Sequence, residues 1–178
     1  MDLGKQNILF FTRTMMLGGT ENVVLQLCEV FKPKVNKIVV CSCGGVNVEK
    51  LTEMGIRHYQ IPDISSKKDM FKICRTVKKI VEKEQITVIH SHHRMAAFYT
   101  EILFGSSIIK IANAHNTFFD KKLLTRFAYR NTKVIAVGKM VKKNLVDYFR
   151  IPEKQVSVIH NAVKPFDGDY IEDKYIRK

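Results

Sequence analysis

Four histidines and one glycine pair are the residues of this chain whose types and spacing could do chemistry. His90, His92 and His93 fall in the run VIHSHHRMAA, and His115 closes the run IIKIANAH just ahead of Asn116 and Thr117. A histidine titrates near neutrality, so His115 at a helix start could accept or orient a hydroxyl proton; otherwise it only caps the helix. Side chains alternate along a strand, which puts His90 and His92 on one face where they could chelate. The carboxylate and further histidines of a hydrolytic metal site do not follow in HRMAAFYTE, so no metal is expected; the histidines read as hydrogen-bonding cleft residues or, for His90, as a satisfied strand-end histidine.

The glycine pair is Gly18-Gly19, in MLGGTENVVLQL. Two residues without Cβ let backbone amides at a helix N-terminus approach an anion, and the helix dipole adds about 0.3 to 1 kcal/mol for charge there. A strand-to-helix turn with positive φ also needs glycine, and spacing alone leaves both readings open. Thr20 is the expected N-cap of the helix that follows. The more specific phosphate motifs are missing: there is no G-x-x-x-x-G-K-[ST], no G-x-G-x-x-G after the first apolar run, and no acidic residue closing KIVVCS to hold a ribose. A P-loop enzyme and a nicotinamide enzyme are therefore disfavoured.

These residues need a frame to bring them together. Apolar, β-branched runs at 7–12, 37–42, 56–61, 87–91, 108–114, 133–137 and 155–160 read as strands buried on both faces. Between them lie segments with apolar residues at helical spacing, such as Ile73, Val77 and Ile80, so the order is βαβα throughout. That alternation predicts a Rossmann-like three-layer α/β/α fold with a parallel sheet of about seven strands. Ligands bind such sheets beyond the carboxyl ends of the strands, where strand order reverses. With the order 3-2-1-4-5, the crevice lies between the first and fourth strands, and TRTMMLGGTEN, SHHRMAA and HNTFFDKK meet there.

Composition sets the class. The chain has 178 residues and is 46% hydrophobic, enough for one domain over 1–163, followed by a linker or tail over 164–178. A net charge of +13 favours anionic partners, namely phosphates, nucleic acid or an acidic membrane face. Nucleic acid is set aside, because no reader module and no aromatics interleaved on a basic face accompany the charge. Cys28, Cys41, Cys43 and Cys74 lie in apolar patterns without C-x-x-C spacing, which fits reduced thiols in the cytoplasm. No apolar run approaches a membrane span of about 18 residues, and the N-terminus does not read as a signal peptide.

Taken in order, Gly18-Gly19-Thr20-Glu21-Asn22, VIHSHHRMAAFY, HNTFF, IAVGKMVKKNLVDYF and VSVIHNAV resemble the N-terminal half of family 4 glycosyltransferases with the GT-B fold, from Asn7 to about Phe166. The resemblance implies one half of a GT-B fold: a domain that holds the acceptor, with a second Rossmann-like domain for the nucleotide sugar, in cis or on a separate chain, absent here. By itself this chain is then expected to be inactive. Relatives carry an E-x7-E motif in the donor half; Glu21 and Glu29 share that spacing but lie in the wrong half.

By resemblance, the reaction is a retaining, metal-independent, hexosyl-type transfer with no cofactor beyond the nucleotide-sugar substrate. Gly18 and Gly19 would lie against the donor diphosphate, and His115 matches the histidine near the reacting sugar. His93 and Asn116 match positions facing the acceptor, and Lys122, Arg126 and Arg130 could meet an acceptor phosphate. The linker of relatives usually reads Asn-Gly-Val-Asp where this chain has Asn161-Ala162-Val163-Lys164. The basic surface fits relatives that dock on the inner face of an anionic membrane to reach polyprenyl-linked or glycan acceptors in capsule, exopolysaccharide or lipopolysaccharide assembly. The competing expectation is a non-catalytic module that binds phosphorylated glycans or anionic lipid.

Overall fold

Each apolar run becomes a strand of one sheet, because a strand flanked on both sides can bury every side chain it carries. The computed structural model describes residues 2–162; the expected domain end at 163 and the segment 164–178 lie outside the described residues. The strands are β1 (Asn7–Phe11), β2 (Lys37–Ser42), β3 (Arg57–Gln60), β4 (Val88–Ser91), β5 (Ile109–Ala114), β6 (Lys133–Ala136) and β7 (Val156–Val158). All pair in parallel, in the order 3-2-1-4-5-6-7. The helices are α1 (Gly19–Phe31), α2 (Val48–Glu53), α3 (Met70–Glu84), α4 (Arg94–Phe104), α5 (Lys122–Ala128) and α6 (Lys139–Lys143), the last running on into a π-helical segment, Asn144–Tyr148.

Alternation along β1 splits the core between the two faces. Phe10 packs with α1 and α2, Phe11 packs with α3 and α4, and both are fully buried. A third cluster joins α5 and α6 to β5 and β6 through Ala128, Val141, Leu145 and Phe149. On α1's side an apolar groove of about 400 Å³ runs from Leu27 and Val30 across Val88, Ile111 and Ile135.

Burial on both faces fails for β3, where Arg57 and Gln60 are exposed. It is one edge of the sheet, and β7, the other edge, likewise exposes Ser157; Arg57 turns back to a carboxylate it shares with Lys37 and Tyr59. That carboxylate is Glu84, at the end of α3, held at 2.7 Å by Arg57 and at 3.1 Å by Lys37, with the Tyr59 hydroxyl also donating to it. Asn7 closes the same end of the sheet by donating to the Gln85 carbonyl at 2.8 Å.

Candidate active site

The strand order reverses between β1 and β4, and there the connecting loops part. A cavity of about 220 Å³ opens at this point. Its walls come from the three loops named from the sequence: Thr14, Thr20 and Glu21 after β1, His92, His93 and Arg94 after β4, and Asn113, His115 and Asn116 at the end of β5. Backbone bonds extend the sheet to the rim, His92 N–H donating to the Phe11 carbonyl at 2.8 Å and Thr12 N–H to that of Cys41 at 3.1 Å.

The start of α1 differs from expectation. Gly18, not Thr20, is the N-cap; its φ of −179° is extended backbone, and Gly19 is already helical. Neither residue has positive φ, so the turn itself does not require glycine. Glu21, in the first turn, folds back over Gly18 and takes a 2.5 Å hydrogen bond from the Thr14 hydroxyl. The dipole favours a negative group at this place, and the Glu21 carboxylate is one. A Cβ on Gly19 would meet open space. The glycine pair flanks the cavity while Thr20 and Glu21 line it.

His90, His92 and His115 form a file of rings, 4.5 Å apart for the first pair and 5.5 Å for the second. Phe10 closes the inner end, 5.4 Å from His90, its cross-strand partner. His90 and His92 do share one face, and one nitrogen of each ring has a partner: His90 Nε2 meets Asn113 Oδ1 at 2.9 Å, and His92 Nδ1 meets His115 Nε2 at 3.2 Å. Burial lowers His90 to about 4, against the Asn113 hydrogen bond and with help from His115, and lowers His92 well below the ordinary imidazole value, with help from His90 and His115. Burial also lowers His115, against an opposing pull from Glu21. The file is therefore neutral at physiological pH.

His93 is the N-cap of α4, its Nδ1 accepting from the Met95 N–H at 3.1 Å, and burial lowers it to about 4. Arg126 and Arg130 stand outside the cavity. Both are exposed on or just after α5; Arg130 lies over the Phe127 ring at 5.5 Å and reaches Glu101 at 3.5 Å. Lys122 likewise lies over the Tyr148 ring at 5.0 Å.

The cations that do line the cavity are Arg13 and Arg94, which sequence reasoning passed over although both sit in the loops it named. Arg94 packs on Phe118 at 4.7 Å and forks onto Asp120 at 2.8 and 3.2 Å. Arg13 pairs with Asp63 at 2.8 Å. Their position directly behind β1 and β4 was the available signal.

Residues 17–165 match the family model of Glycosyltransferase Family 4. One subunit of human phosphatidylinositol N-acetylglucosaminyltransferase is 26% identical, over 85% of this chain and 35% of that protein. A glycosyltransferase from Rickettsia africae superposes with a TM-score of 0.75 at 16% identity, over 89% of this chain and 44% of that one. Anabaena HepE in complex with UDP gives 0.70 at 16% over the same shares, and the apo lipopolysaccharide outer core galactosyltransferase WaaB gives 0.72 at 15%, over 89% and 46%. At these identities the likeness shows the fold, a Rossmann-like half of GT-B. The chain spans about a third of this curated relative and under half of these solved chains.

Proposed function

This chain belongs to Glycosyltransferase Family 4, and from that premise we propose that its cavity is the acceptor side of a retaining, metal-independent sugar transfer from a nucleotide-sugar donor. The acceptor is a glycan or lipid-linked hydroxyl. As the acceptor oxygen bonds to the anomeric carbon, the bond from that carbon to the diphosphate breaks on the same face, and the acceptor proton leaves on the departing phosphate. Gly18 and Gly19 face the diphosphate, His115 stands by the reacting sugar, and His93 and Asn116 face the acceptor.

The observation that carries this reading is the cavity itself. At about 220 Å³ it falls below the roughly 300 to 1,000 Å³ that encloses a drug-sized ligand, yet three loops converge on it with neutral imidazoles and two arginines. It has the size of one wall of a cleft, with the other wall belonging to a donor domain. Sugar transfer measured with this chain alone, and with the chain completed by a donor-binding half, tests the idea. HepE has been solved with UDP, which makes UDP-sugars the first donors to try. Transfer is expected only from the completed protein. Robust transfer by the 178 residues alone would sink the half-site claim, and binding of phosphorylated glycans without transfer in the completed protein would favour a non-catalytic module.

The same reading puts the protein at the inner face of an anionic membrane, in the assembly of cell-surface polysaccharide. Phe119 and Leu123 are 72% and 79% exposed, and Lys121, Lys122 and Arg126, also exposed, lie close to them in sequence, a pairing of apolar anchors and cations that complements an acidic bilayer. Among the described residues no helix is long and apolar enough to cross a membrane. Vesicles containing phosphatidylserine should pull the chain down at low salt, with binding fading as salt rises; equal binding to neutral vesicles would count against the proposal.

A further inference from the structure

We propose that His92 is a positioning residue: it holds His115 in the tautomer with its proton on Nδ1, so that His115 presents the ligand with a hydrogen-bond donor and not a base. The inference rests on the functional reading above and concerns the same site. One proton lies between His92 Nδ1 and His115 Nε2, which are 3.2 Å apart, and it belongs to one ring or the other. The other nitrogen of His92 decides which. His92 is 2% exposed, and its Nε2 is buried with no hydrogen-bond partner.

Were His115 the donor, neutral His92 would carry its own proton on Nε2, as a buried N–H facing no acceptor. Buried N–H groups without a partner are rarer in proteins than buried acceptors with a spare lone pair, because the orphaned donor forfeits a full hydrogen bond. With His92 as donor, its Nε2 keeps only a lone pair. His90 cannot relieve His92 by offering its own Nε2–H, which is given to Asn113 Oδ1 at 2.9 Å. Burial and the neighbouring rings oppose a second proton anywhere along the file.

The consequence falls on His115. Its Nε2 lone pair is used by His92, and no other hydrogen bond forms at its ring among the described residues. Nδ1–H is left, a neutral donor at the cavity wall, suited to an oxygen of the sugar or acceptor. The acceptor proton then has no free imidazole nitrogen to go to on His115, in keeping with its departure on the leaving phosphate. His92 touches no ligand in this arrangement; it acts through His115.

Long-range ¹H–¹⁵N correlation spectra of the histidine rings, recorded on the 178-residue chain at neutral pH, test this directly. Wild-type His115 is expected to show a protonated Nδ1 and a bare Nε2. In His92→Phe the two ¹⁵N resonances should exchange character, as His115 reverts to the Nε2–H form that free histidine prefers. In His92→Asn, whose amide N–H replaces the lost donor, the wild-type pattern should persist. An Nε2–H form in the wild type, an Nδ1–H form that survives in folded His92→Phe, or its loss in His92→Asn would each overturn the proposal. If His92→Phe does not fold, the wild-type and His92→Asn spectra still decide. The readout needs no donor, acceptor or turnover, so its failure leaves the sugar-transfer reading standing, and failed transfer leaves the tautomer standing.

Discussion

Two glycine pairs look alike in the sequence, Gly18-Gly19 after β1 and Gly44-Gly45 after β2, and the structure uses them in opposite ways. Gly44 and Gly45 have φ of +95° and +145°, and a Cβ on Gly45 would come within 2.5 Å of the Met15 carbonyl oxygen and the Met16 nitrogen. The backbone demands glycine there, so that one loop can seat the other. Met15 N–H donates to the Gly44 carbonyl at 2.9 Å, and Asn47 N–H to that of Met15 at 2.8 Å. Gly18 and Gly19 meet no such demand: their φ values are ordinary, and the space above Gly19 is open. A glycine required by the fold and a glycine that leaves room at a helix N-terminus are different things.

The largest effect should come from Gly45→Ala. Strain at a positive φ costs about 1 to 3 kcal/mol, and forcing an added methyl against fixed backbone costs a similar amount, so a loss of roughly 3 kcal/mol is expected. Gly44→Ala has only the first cost, since its Cβ would rest in ordinary contact 3.5 Å from Gln60. Urea midpoints of the two variants measure the difference. Equal midpoints would erase the asymmetry claimed between a tight and a roomy position within the same pair.

How much of this was legible beforehand follows from the same contrast. The alternating runs and the reversal at β1 and β4 could be read, because buried parallel strands and crossover helices have periods that survive in the sequence. The three cleft loops followed from that order. What could not be read was which glycine pair the backbone needs, since φ depends on the long-range seating of 44–47 against 15–16. Arg13 and Arg94 could have been preferred over Arg126 and Arg130 only from their place directly behind β1 and β4; their packing on Phe118 and pairing with Asp63 and Asp120 are long-range contacts that the sequence does not show. The order 3-2-1-4-5 already puts β3 at an end of the sheet, but the apolar run over 56–61 does not show that Arg57 and Gln60 face outward.

A functional test of the first pair comes next in size. Gly19→Ala should leave the fold intact or stabilise it by about 0.5 to 1 kcal/mol, because Gly19 is already helical and alanine loses less entropy there. In the completed protein the same methyl would keep the donor diphosphate from the first amides of α1. Hydrogen bonds to a charged group are worth about 1.5 to 3 kcal/mol, so transfer should fall tenfold or more at subsaturating donor. Unchanged kcat/KM in Gly19→Ala would make this pair as inert as any loop glycine, and the comparison would lose its functional half.

The smallest effect concerns the tie that holds the same loop from its other side. Arg13 accepts from the Cys43 N–H through its carbonyl at 2.9 Å, while its guanidinium forks onto Asp63 at 2.8 to 3.2 Å. That hydrogen bond, helped by the Ser65 N–H at 2.9 Å, holds Asp63 at about 2, below its ordinary 3.8. A depressed carboxylate stabilises the folded state above its unfolded pKa, and the contribution fades as pH falls from 3.8 toward about 2. Because the two side chains are 48% and 38% exposed, solvent screens the pair and its worth is under about 1 kcal/mol. Asp63→Asn should therefore melt slightly below wild type at pH 7 and together with it near pH 2. Glu84, lowered to about 2 chiefly by the Tyr59 hydroxyl, gives both proteins a shared acid sensitivity that cancels in the difference. A loss in Asp63→Asn at pH 7 as large as that in Gly45→Ala would mean that charge pairing, not backbone fit, seats the cleft loop.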